Sequence, residues 1–487
     1  MELNADDRQF FTSVAEVIFS NPFDDARASI RALAPGTPPA AANHPFGAIA
    51  PAIDERLKKL ASTGITTTKD VTAGDRELLG YALLFRVFDR YVDRFDALIA
   101  EQLARGDEPA AAAFADALLA ELRACGFSSD DACRYLALFY QLRRAYYFIA
   151  DSLLGDSPAM GRLRHGLWNN VFTSDVRIYD KFLWNRMEDF STLMLGETGT
   201  GKTSAAAAIG RSGFIPYDQK RGCFAASFTS TFVAANLSQY PESLIESELF
   251  GHRKGAFTGA IDHHQGLFER LSNYGALFLD EIGEVSVPVQ INLLTVLQER
   301  RFSPVGSHEQ LRFDGRVIAA TNRSLAELRE SSEFRDDFLY RLCSDVIEVP
   351  PLRLRLQEHP PELEQLVALL TTRATGSEAP GLSRMVVNSL RGTLADDYPW
   401  PGNVRELEQA VRRILLNGRY EGVRTGDAQE KEEQLAGLLR DGSLTATELL
   451  SSYCRTLYAR LGSYEQVARH IELDRRTVKK YIERGAV

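Results

Sequence analysis

The spacing of apolar residues changes along this chain of 487 residues. In Leu78–Leu103 and Asp131–Leu154, apolar and aromatic residues recur at helical spacing, which places them on one face of a helix. An Ala-, Pro- and Gly-rich stretch at 32–51 breaks the pattern and predicts a loop. Residues 1–168 are therefore predicted to form a mostly helical N-terminal domain, without a sheet.

Further along, short apolar runs alternate with amphipathic stretches. Four runs have the length and composition of buried strands: Ser191–Leu195, Thr231–Ala235, Ala276–Leu279 and Arg316–Ala320. Buried runs separated by helical stretches are typical of a parallel sheet with helices on its faces. The pattern predicts an α/β domain over 169–351 and a helical subdomain over 352–425.

The end of the chain predicts a separate small module. A charged, glycine-containing stretch indicates a linker at 426–442, and helical spacing resumes over 443–487. The first amphipathic helix of the module is followed by a short turn and then by a basic helix, which is the layout of a helix-turn-helix domain. From Arg455 onward, basic residues outnumber acidic ones eight to four. The alternative is a solvated charged helix that packs on the preceding subdomain.

If the helix-turn-helix prediction holds, the basic helix contacts DNA phosphates or base edges. The residues expected to face double-stranded DNA are Arg475, Arg476, Thr477, Lys479 and Lys480. Dimers of such a module predict a palindromic site.

The bulk composition excludes several classes of protein. With 45% hydrophobic and 25% charged residues and a net charge of −10, the chain is typical of a folded soluble protein, and not of one that coats nucleic acid along its length. The five cysteines form no CxxC pair, which favours reduced thiols over disulfides or a zinc site. The start lacks signal-peptide features, and no apolar run could span a membrane. A cytoplasmic location is therefore expected.

A phosphate-binding loop follows the first predicted strand and precedes an Ala-rich helix. Its residues fit G-x-x-x-x-G-K-[ST]: Gly196, Glu197, Thr198, Gly199, Thr200, Gly201, Lys202 and Thr203. In this context the loop amides and the helix N-terminus form a cradle for phosphates. Lys202 is expected to neutralise the terminal phosphates of ATP, and the Thr203 hydroxyl to bind Mg²⁺.

Two carboxylates end the strand candidate at Ala276–Leu279. Asp280 is expected to hold Mg²⁺, and Glu281 to orient and deprotonate the attacking water. A strand that ends in two acids is weak evidence by itself. About 80 residues after a phosphate loop, it indicates an ATP-hydrolysing site.

The run from Leu193 to about Leu407 resembles the AAA+ domain of bacterial sigma-54-dependent transcription activators, also called enhancer-binding proteins. The matching stretches are Leu195–Lys202, Phe232–Asn236, Glu246–His252, the GAFTGA sequence at 255–260, Leu277–Gly283, Val317–Asn322, Phe334–Leu342 and Trp400–Glu408. The C-terminal module resembles the Fis-type domains that end many of these activators. The resemblance implies a multidomain chain with an α/β AAA+ ATPase, a helical lid and a small all-α DNA-binding domain.

The resemblance also implies roles for residues outside the two ATP motifs. Asn236 matches the asparagine that restrains the catalytic glutamate. Thr321 and Asn322 match the sensor of the γ-phosphate, and Arg405 matches the lid sensor. Arg335 and Arg341 match arginine fingers, which reach the nucleotide of a neighbouring subunit. A ring, expected to be a hexamer, is then the active form; the alternative is a dimer that never closes a ring.

The GAFTGA stretch sets the chain apart from an ordinary ATPase. Its six residues are Gly255, Ala256, Phe257, Thr258, Gly259 and Ala260. Two glycines bracket an aromatic side chain and a hydroxyl, which favours a mobile contact loop. In the resembling family, this tip contacts sigma-54 in the closed promoter complex of RNA polymerase holoenzyme, and ATP hydrolysis remodels that complex.

Three classes of function therefore compete. The favoured class is an ATP-driven activator of sigma-54 RNA polymerase that binds upstream DNA. A AAA+ remodeller of another protein is disfavoured by GAFTGA and by the DNA-binding module. A DNA-binding regulator with a silent nucleotide site is disfavoured by the complete set of ATP-site residues.

The N-terminal region resembles no regulatory domain, and it lacks the acidic cluster of a phosphoacceptor receiver. Its aromatic stripes are expected to form helical core rather than a ligand pocket, and a regulatory role rests on analogy alone. Two stretches depart from the family pattern. Ile215–Ser230 is unusually long and is predicted to be a surface loop, and Leu356–Pro360 replaces the usual acidic pair.

Overall fold

The computed structural model describes residues 1–24, 27–34, 44, 46–331, 333–422, 445–461, 464–471 and 473–483. The predicted linker at 426–442 lies outside these ranges. The chain divides into two compact units: Met1–Val387 with Asp397–Arg412, and Asn388–Asp396 with Arg413–Val487. Within the described ranges, no helix has the length and apolarity needed to cross a bilayer.

The larger unit begins with helices, as the spacing of apolar residues predicted. They are α1 (Ala5–Ile18), α2 (Arg27–Leu33), α3 (Ala50–Ser62), α4 (Ala73–Arg105), α5 (Ala115–Ala124), α6 (Ser129–Tyr146), α7 (Pro158–Phe172) and α8 (Val176–Ile178). The Ser128 hydroxyl caps α6 by accepting from the Asp131 amide at 3.1 Å. The predicted boundary between residues 168 and 169 falls inside α7.

A five-stranded parallel sheet follows. Its strands are β1 (Thr192–Leu195), β4 (Phe232–Asn236), β5 (Ala276–Asp280), β8 (Arg316–Thr321) and β9 (Asp345–Glu348), in the order β4-β5-β8-β1-β9. Short hairpins are formed by β2 (Tyr217–Asp218) with β3 (Cys223–Phe224), and by β6 (Arg301–Phe302) with β7 (Leu311–Arg312). The four predicted runs correspond to β1, β4, β5 and β8. The edge strand β9 was not predicted, because only one of its four residues is buried.

Helices flank the sheet and then form the predicted lid. The flanking helices are α9 (Lys202–Gly210), α10 (Glu242–Phe250), α11 (Leu267–Arg270), α12 (Val287–Glu299), α13 (Leu325–Glu330) and α14 (Asp336–Leu342). The lid helices are α15 (Leu352–Glu358), α16 (Glu362–Thr375), α17 (Pro380–Thr393) and α18 (Asn403–Asn417). This is the multidomain α/β AAA+ architecture with a helical N-terminal region that the sequence predicted.

The N-terminal helices and the sheet share one hydrophobic core. Successive strand residues point to opposite faces of a sheet. Met194, Phe278 and Ile318 point to the face covered by α9 and the N-terminal helices. Leu193 and Leu279 point to the opposite face, where α10, α12 and α14 pack. The N-terminal region is therefore built onto the ATPase sheet.

The long stretch Ile215–Ser230 is not the surface loop that was predicted. It contains the β2–β3 hairpin, and Ile215, Phe224 and Phe228 are almost fully buried. Phe224 stacks on Tyr140 of α6, with ring centroids 4.1 Å apart. The prediction was wrong because these apolar side chains pack on distant N-terminal helices. We call Ile215–Ser230 the docking hairpin.

A buried arginine joins the same two regions. Arg144 of α6 has no exposed surface, and it donates hydrogen bonds of 2.7 Å to the carbonyls of Arg211 and Gly213, just beyond the end of α9. Burial lowers the pKa of Arg144 to about 10, so the side chain stays charged near neutral pH. The end of the helix that follows the phosphate loop is thus capped by the N-terminal region.

The smaller unit contains the predicted C-terminal helices. They are α19 (Ala446–Leu461), α20 (Tyr464–His470) and α21 (Arg475–Glu483). Leu457, Val467, Ala468 and Val478 form their core. The predicted apolar face of α20 is therefore buried, through Val467 and Ala468.

Candidate functional site

The phosphate loop connects the end of β1 to the start of α9. Gly199 and Gly201 have φ angles of +81° and +105°, a region that residues with a side chain adopt only under strain. Gly201 directly precedes α9, so the first amides of the helix lie beside the loop. The backbone therefore has the cradle geometry that suits a phosphate chain.

Lys202 lies at the centre of this cradle. Its side chain is buried, and its amine donates to the Gly196 and Glu197 carbonyls at 2.7 and 3.2 Å. Burial lowers the pKa of Lys202, and the carboxylates of Asp280 and Glu281 oppose that shift. The cation and the two acids therefore share one electrostatic environment, although about 80 residues separate them.

The acidic pair occupies the carboxyl end of β5. Glu281 has a φ of +58°, a strained conformation of the kind that clusters at functional sites. Burial, and then the neighbouring Asp280, raises the pKa of the Glu281 carboxyl. A carboxylate with raised pKa is the better proton acceptor. Thr203 is exposed at the start of α9, so its hydroxyl and Asp280 are the groups that would hold Mg²⁺.

The sensor candidates end the strands on either side of β5. Asn236 pairs in register with Asp280, but its side-chain oxygen accepts from the Ser238 amide and hydroxyl at 3.0 and 2.7 Å. Among the described residues, Asn236 and Glu281 form no hydrogen bond with each other. Thr321 is buried at the end of β8, and Asn322 is exposed beside it. Since the strands are parallel, these residues meet at one edge of the sheet.

The lid contacts the phosphate loop through Gly402 and the first turn of α18. The Val404 amide donates to the Gly199 carbonyl at 3.0 Å. A Cβ at Gly199 would overlap the Gly402 carbonyl and lie 3.0 Å from Arg405 Cβ. Arg405 is exposed, and its positive charge is close enough to oppose the burial-driven rise in the pKa of Glu281. The predicted sensor arginine therefore lies beside the candidate nucleotide site.

The two predicted arginine fingers have different surroundings. Arg335 is 41% exposed and forms an ion pair with Asp337 at 2.7 Å. Arg341 is partly buried and donates to the Leu297 carbonyl at 2.9 and 3.2 Å. Arg335 can break its ion pair with Asp337 at a small cost in free energy, because an exposed ion pair contributes only ~0–1 kcal/mol to stability.

GAFTGA forms the tip of a loop after α10, which we call the finger loop (Gly251–Ala260). Gly255 and Gly259 take φ angles of +81° and +107°, and the Gly255 amide donates to the Ala260 carbonyl at 2.8 Å. Phe257 is 38% exposed and its ring packs edge-on against His252, with centroids 4.9 Å apart. Thr258 is exposed. The loop presents an aromatic ring and a hydroxyl together.

The basic residues predicted to face DNA lie on α21. Arg475, Arg476, Lys479 and Lys480 are exposed, and Thr477 is half-buried. Val478 on the same helix is fully buried in the small core. The helix therefore has one face that packs and one face that carries positive charge.

Asn403 was not predicted as a site residue, although it lies inside Trp400–Glu408, a stretch that matches the family. It is fully buried with a φ of +52°. Its amide donates to the Glu197 carboxylate and to the Thr198 carbonyl, both at 3.1 Å, and its oxygen accepts from the Leu352 amide at 2.8 Å. An asparagine after Pro-Gly is a signal for a left-handed turn, but not for these partners.

The middle of the chain matches a known family of domains. Residues 177–348 match the model of the "Sigma-54 interaction domain". The chain is 36% identical over 343 residues to the anaerobic nitric oxide reductase transcription regulator NorR of Aeromonas salmonicida, covering 66% of this chain and 61% of NorR. It is 42% identical over 226 residues to the nitrogen fixation protein VnfA of Azotobacter vinelandii, covering 46% and 40%.

Among solved structures, NtrX from Brucella abortus aligns with 76% of this chain and 80% of its own, with a TM-score of 0.41 and 20% identity. The chain spans at most about three fifths of the two curated relatives named above. The matched segment includes the phosphate loop, the acidic pair, the finger loop and Arg335. The chain therefore contains a sigma-54 interaction domain over residues 177–348, in agreement with its resemblance to the sigma-54-dependent transcription activators.

Proposed function

We propose that the protein activates transcription by sigma-54 RNA polymerase, using ATP hydrolysis to drive the finger loop against the closed promoter complex. The observation that carries the proposal is the connection between the two sites. Asn236 at the nucleotide edge is followed, six residues later, by α10, which ends at Phe250 directly before the finger loop. A change at Asn236 therefore has a short covalent path to Phe257 and Thr258.

Each residue at the nucleotide edge has a chemical task in this proposal. The loop amides and Lys202 bind the phosphates, while Thr203 and Asp280 hold Mg²⁺. The bound Mg²⁺ neutralises charge on the phosphate oxygens. Glu281, with its raised pKa, orients the water and accepts its proton. Asn322 and Arg405 are proposed to contact the γ-phosphate.

The active assembly in this proposal is a ring, expected to be a hexamer. Arg335 lies at the surface, and in a ring it reaches the nucleotide of the neighbouring subunit. An arginine supplied in trans accelerates phosphoryl transfer by ~10³–10⁵, so turnover should require assembly. Arg341 is proposed as the second finger and must exchange the Leu297 carbonyl for phosphate.

The C-terminal module is proposed to bind upstream double-stranded DNA. The support is the three-helix core together with the exposed basic face of α21. Phosphate contacts by Arg475, Arg476, Lys479 and Lys480 would make binding strongly dependent on salt. Thr477 of the same helix would add a hydrogen bond.

The Thr258→Ala variant tests the coupling between ATP turnover and promoter activation. Because Thr258 is exposed and distant in sequence from the ATP motifs, ATP turnover should stay within about twofold of the wild type, since surface substitutions are usually mild. Activation of a sigma-54 promoter in a purified system should be lost. The matched control is Ser307→Ala, in the loop beside the finger. Normal activation by Thr258→Ala would refute the assigned contact.

A further inference from the structure

The short lid helix α15 contacts two separate parts of the larger unit. Arg353 donates to both carboxylate oxygens of Glu197 in the phosphate loop, at 2.8 and 2.5 Å. Arg355, two residues later, pairs with Glu362 at 2.5 Å and donates to the Leu154 carbonyl at 2.7 Å. Since residues two apart on a helix point in different directions, one helix joins the phosphate loop to the segment before α7.

The segment Leu154–Ser157, which we call the linker turn, connects the N-terminal helices to α7. Glu362 is fully buried and accepts from the Ser157 amide at 2.9 Å. Gly155 has a φ of +121°, and a Cβ there would overlap Glu362 Oε1 and lie 2.8 Å from Arg355 Nη2. The glycine therefore permits the close approach of the linker turn to the Arg355–Glu362 pair.

A second carboxylate strengthens this contact. Glu358, in the stretch that departs from the family pattern, accepts from the Ala159 amide at 2.5 Å and from Arg162 at 2.7 Å. Ala159 lies in the first turn of α7, so Glu358 satisfies an amide that has no partner within the helix. The lid therefore caps α7.

The other end of α15 is fastened to the phosphate loop. Asn403 accepts from the Leu352 amide at the start of α15 and donates to Glu197. Hydrogen bonds from Arg353 and Asn403 lower the pKa of Glu197. A displacement of α15 would therefore disturb both contacts with Glu197.

We propose that α15 couples the linker turn to the phosphate loop, so that the N-terminal region sets the affinity of the protein for nucleotide. Arg353, Arg355 and Glu362 act as positioning residues. The inference rests on the proposed nucleotide binding and adds a specific route of control to it. It also accounts for the departure at Leu356–Pro360, because Glu358 and the neighbouring Glu362 supply the carboxylates of the contact.

Burial makes it energetically costly to separate Arg355 from Glu362. Arg355 and Glu362 are 5% and 0% exposed, and separating a buried pair leaves an uncompensated charge. The linker turn and α15 must therefore move together, or neither of them moves. Coupling of this kind is reciprocal: nucleotide must stabilise the linker turn as much as the linker turn favours nucleotide.

The Gly155→Ala variant of the full chain tests the proposal. The added Cβ should push Glu362 away from Arg355 and weaken binding of a fluorescent ADP analogue by about fivefold or more, the lower end of typical coupling. The KM for ATP should rise while kcat stays within about twofold of the wild type. The control is Gly161→Ala in α7, where no atom lies within 4 Å of the new Cβ, and its affinity should be that of the wild type.

Hydrogen exchange supplies an independent measurement. In the wild type, ADP should slow exchange of the linker-turn amides, a response that a purely structural contact would not give. A folded Gly155→Ala variant that binds the ADP analogue as tightly as the wild type would overturn the coupling. If that variant does not fold, the coupling would be overturned by a wild type in which ADP does not slow exchange of the Ser157 amide. A wild type that binds no nucleotide would instead refute the proposed function.

Discussion

The docking hairpin gives the sharpest prediction about how the larger unit is built. Phe228 is fully buried. Its ring packs edge-on against Phe148 at 5.3 Å and lies 5.8 Å from the Arg144 guanidinium. Phe228→Ala therefore removes a core ring at the junction of the N-terminal helices and the ATPase sheet.

The expected loss of stability follows from the burial of that ring. Truncation of a buried Phe to Ala costs ~3–5 kcal/mol of unfolding free energy, and loss of the aromatic pair adds ~0.5–1.5 kcal/mol. This loss is a large fraction of the total unfolding free energy of a native domain, which is ~5–15 kcal/mol. Phe257→Ala is the matched control. Phe257 is 38% exposed on the finger loop, and its truncation should cost well under ~1 kcal/mol.

Urea unfolding followed by two probes measures the effect. With the lid residue Trp400 replaced in every variant (Trp400→Phe), tryptophan fluorescence reports Trp168 and Trp184 near the junction. Loss of ADP-analogue binding reports the phosphate loop. Because one core joins the two regions, both probes should shift together in Phe228→Ala. A fluorescence transition that shifts while the nucleotide-binding transition stays in place would show two independent domains. That result would refute the shared core.

Three further predictions address the chemistry. Because the pKa of Glu281 is raised, its carboxylate becomes protonated at a pH above the ordinary value of 4.5. The acid limb of the kcat–pH profile should therefore lie above pH 4.5. The Glu281→Gln variant should bind ATP and not hydrolyse it. Arg335→Ala should bind ATP but lose turnover, and mixing it with Lys202→Ala subunits should restore part of the turnover, because intact sites then meet intact fingers; no recovery would contradict action in trans. Lys479→Ala should reduce by about one the slope of log affinity for DNA against log salt concentration, whereas an unchanged slope would remove Lys479 from the DNA contact.

Much of the ATP site could be predicted because its chemistry depends on local sequence. The phosphate loop follows β1, and Asp280 and Glu281 stand at the end of β5; the residues of both strands that precede these motifs are buried and strongly apolar. The parallel arrangement then brings the strand ends together. By contrast, Asn403 contacts residues about 200 positions away, and no local pattern identifies those partners.

The contacts of the N-terminal region could not be predicted for the same reason. Phe224 and Phe228 look like apolar residues in an inserted loop until α6 supplies the surface that buries them. Glu362 looks like a solvated residue at the start of a lid helix, yet it is fully buried against Arg355 and the linker turn. Only the first case lies in a stretch that departs from the family pattern, and in both cases only the tertiary structure showed the partner.

In the proposed function, nucleotide state controls contact between the finger loop and sigma-54. The most direct measurement is binding of purified sigma-54 to the full-length protein with no nucleotide, with ADP, and with ADP plus aluminium fluoride as a mimic of the hydrolysis transition state. A stable complex is expected with the mimic alone, and none for the Thr258→Ala variant under the same conditions. Equal binding in all three nucleotide states, or no binding in any of them while ATP is still hydrolysed, would contradict the proposed function.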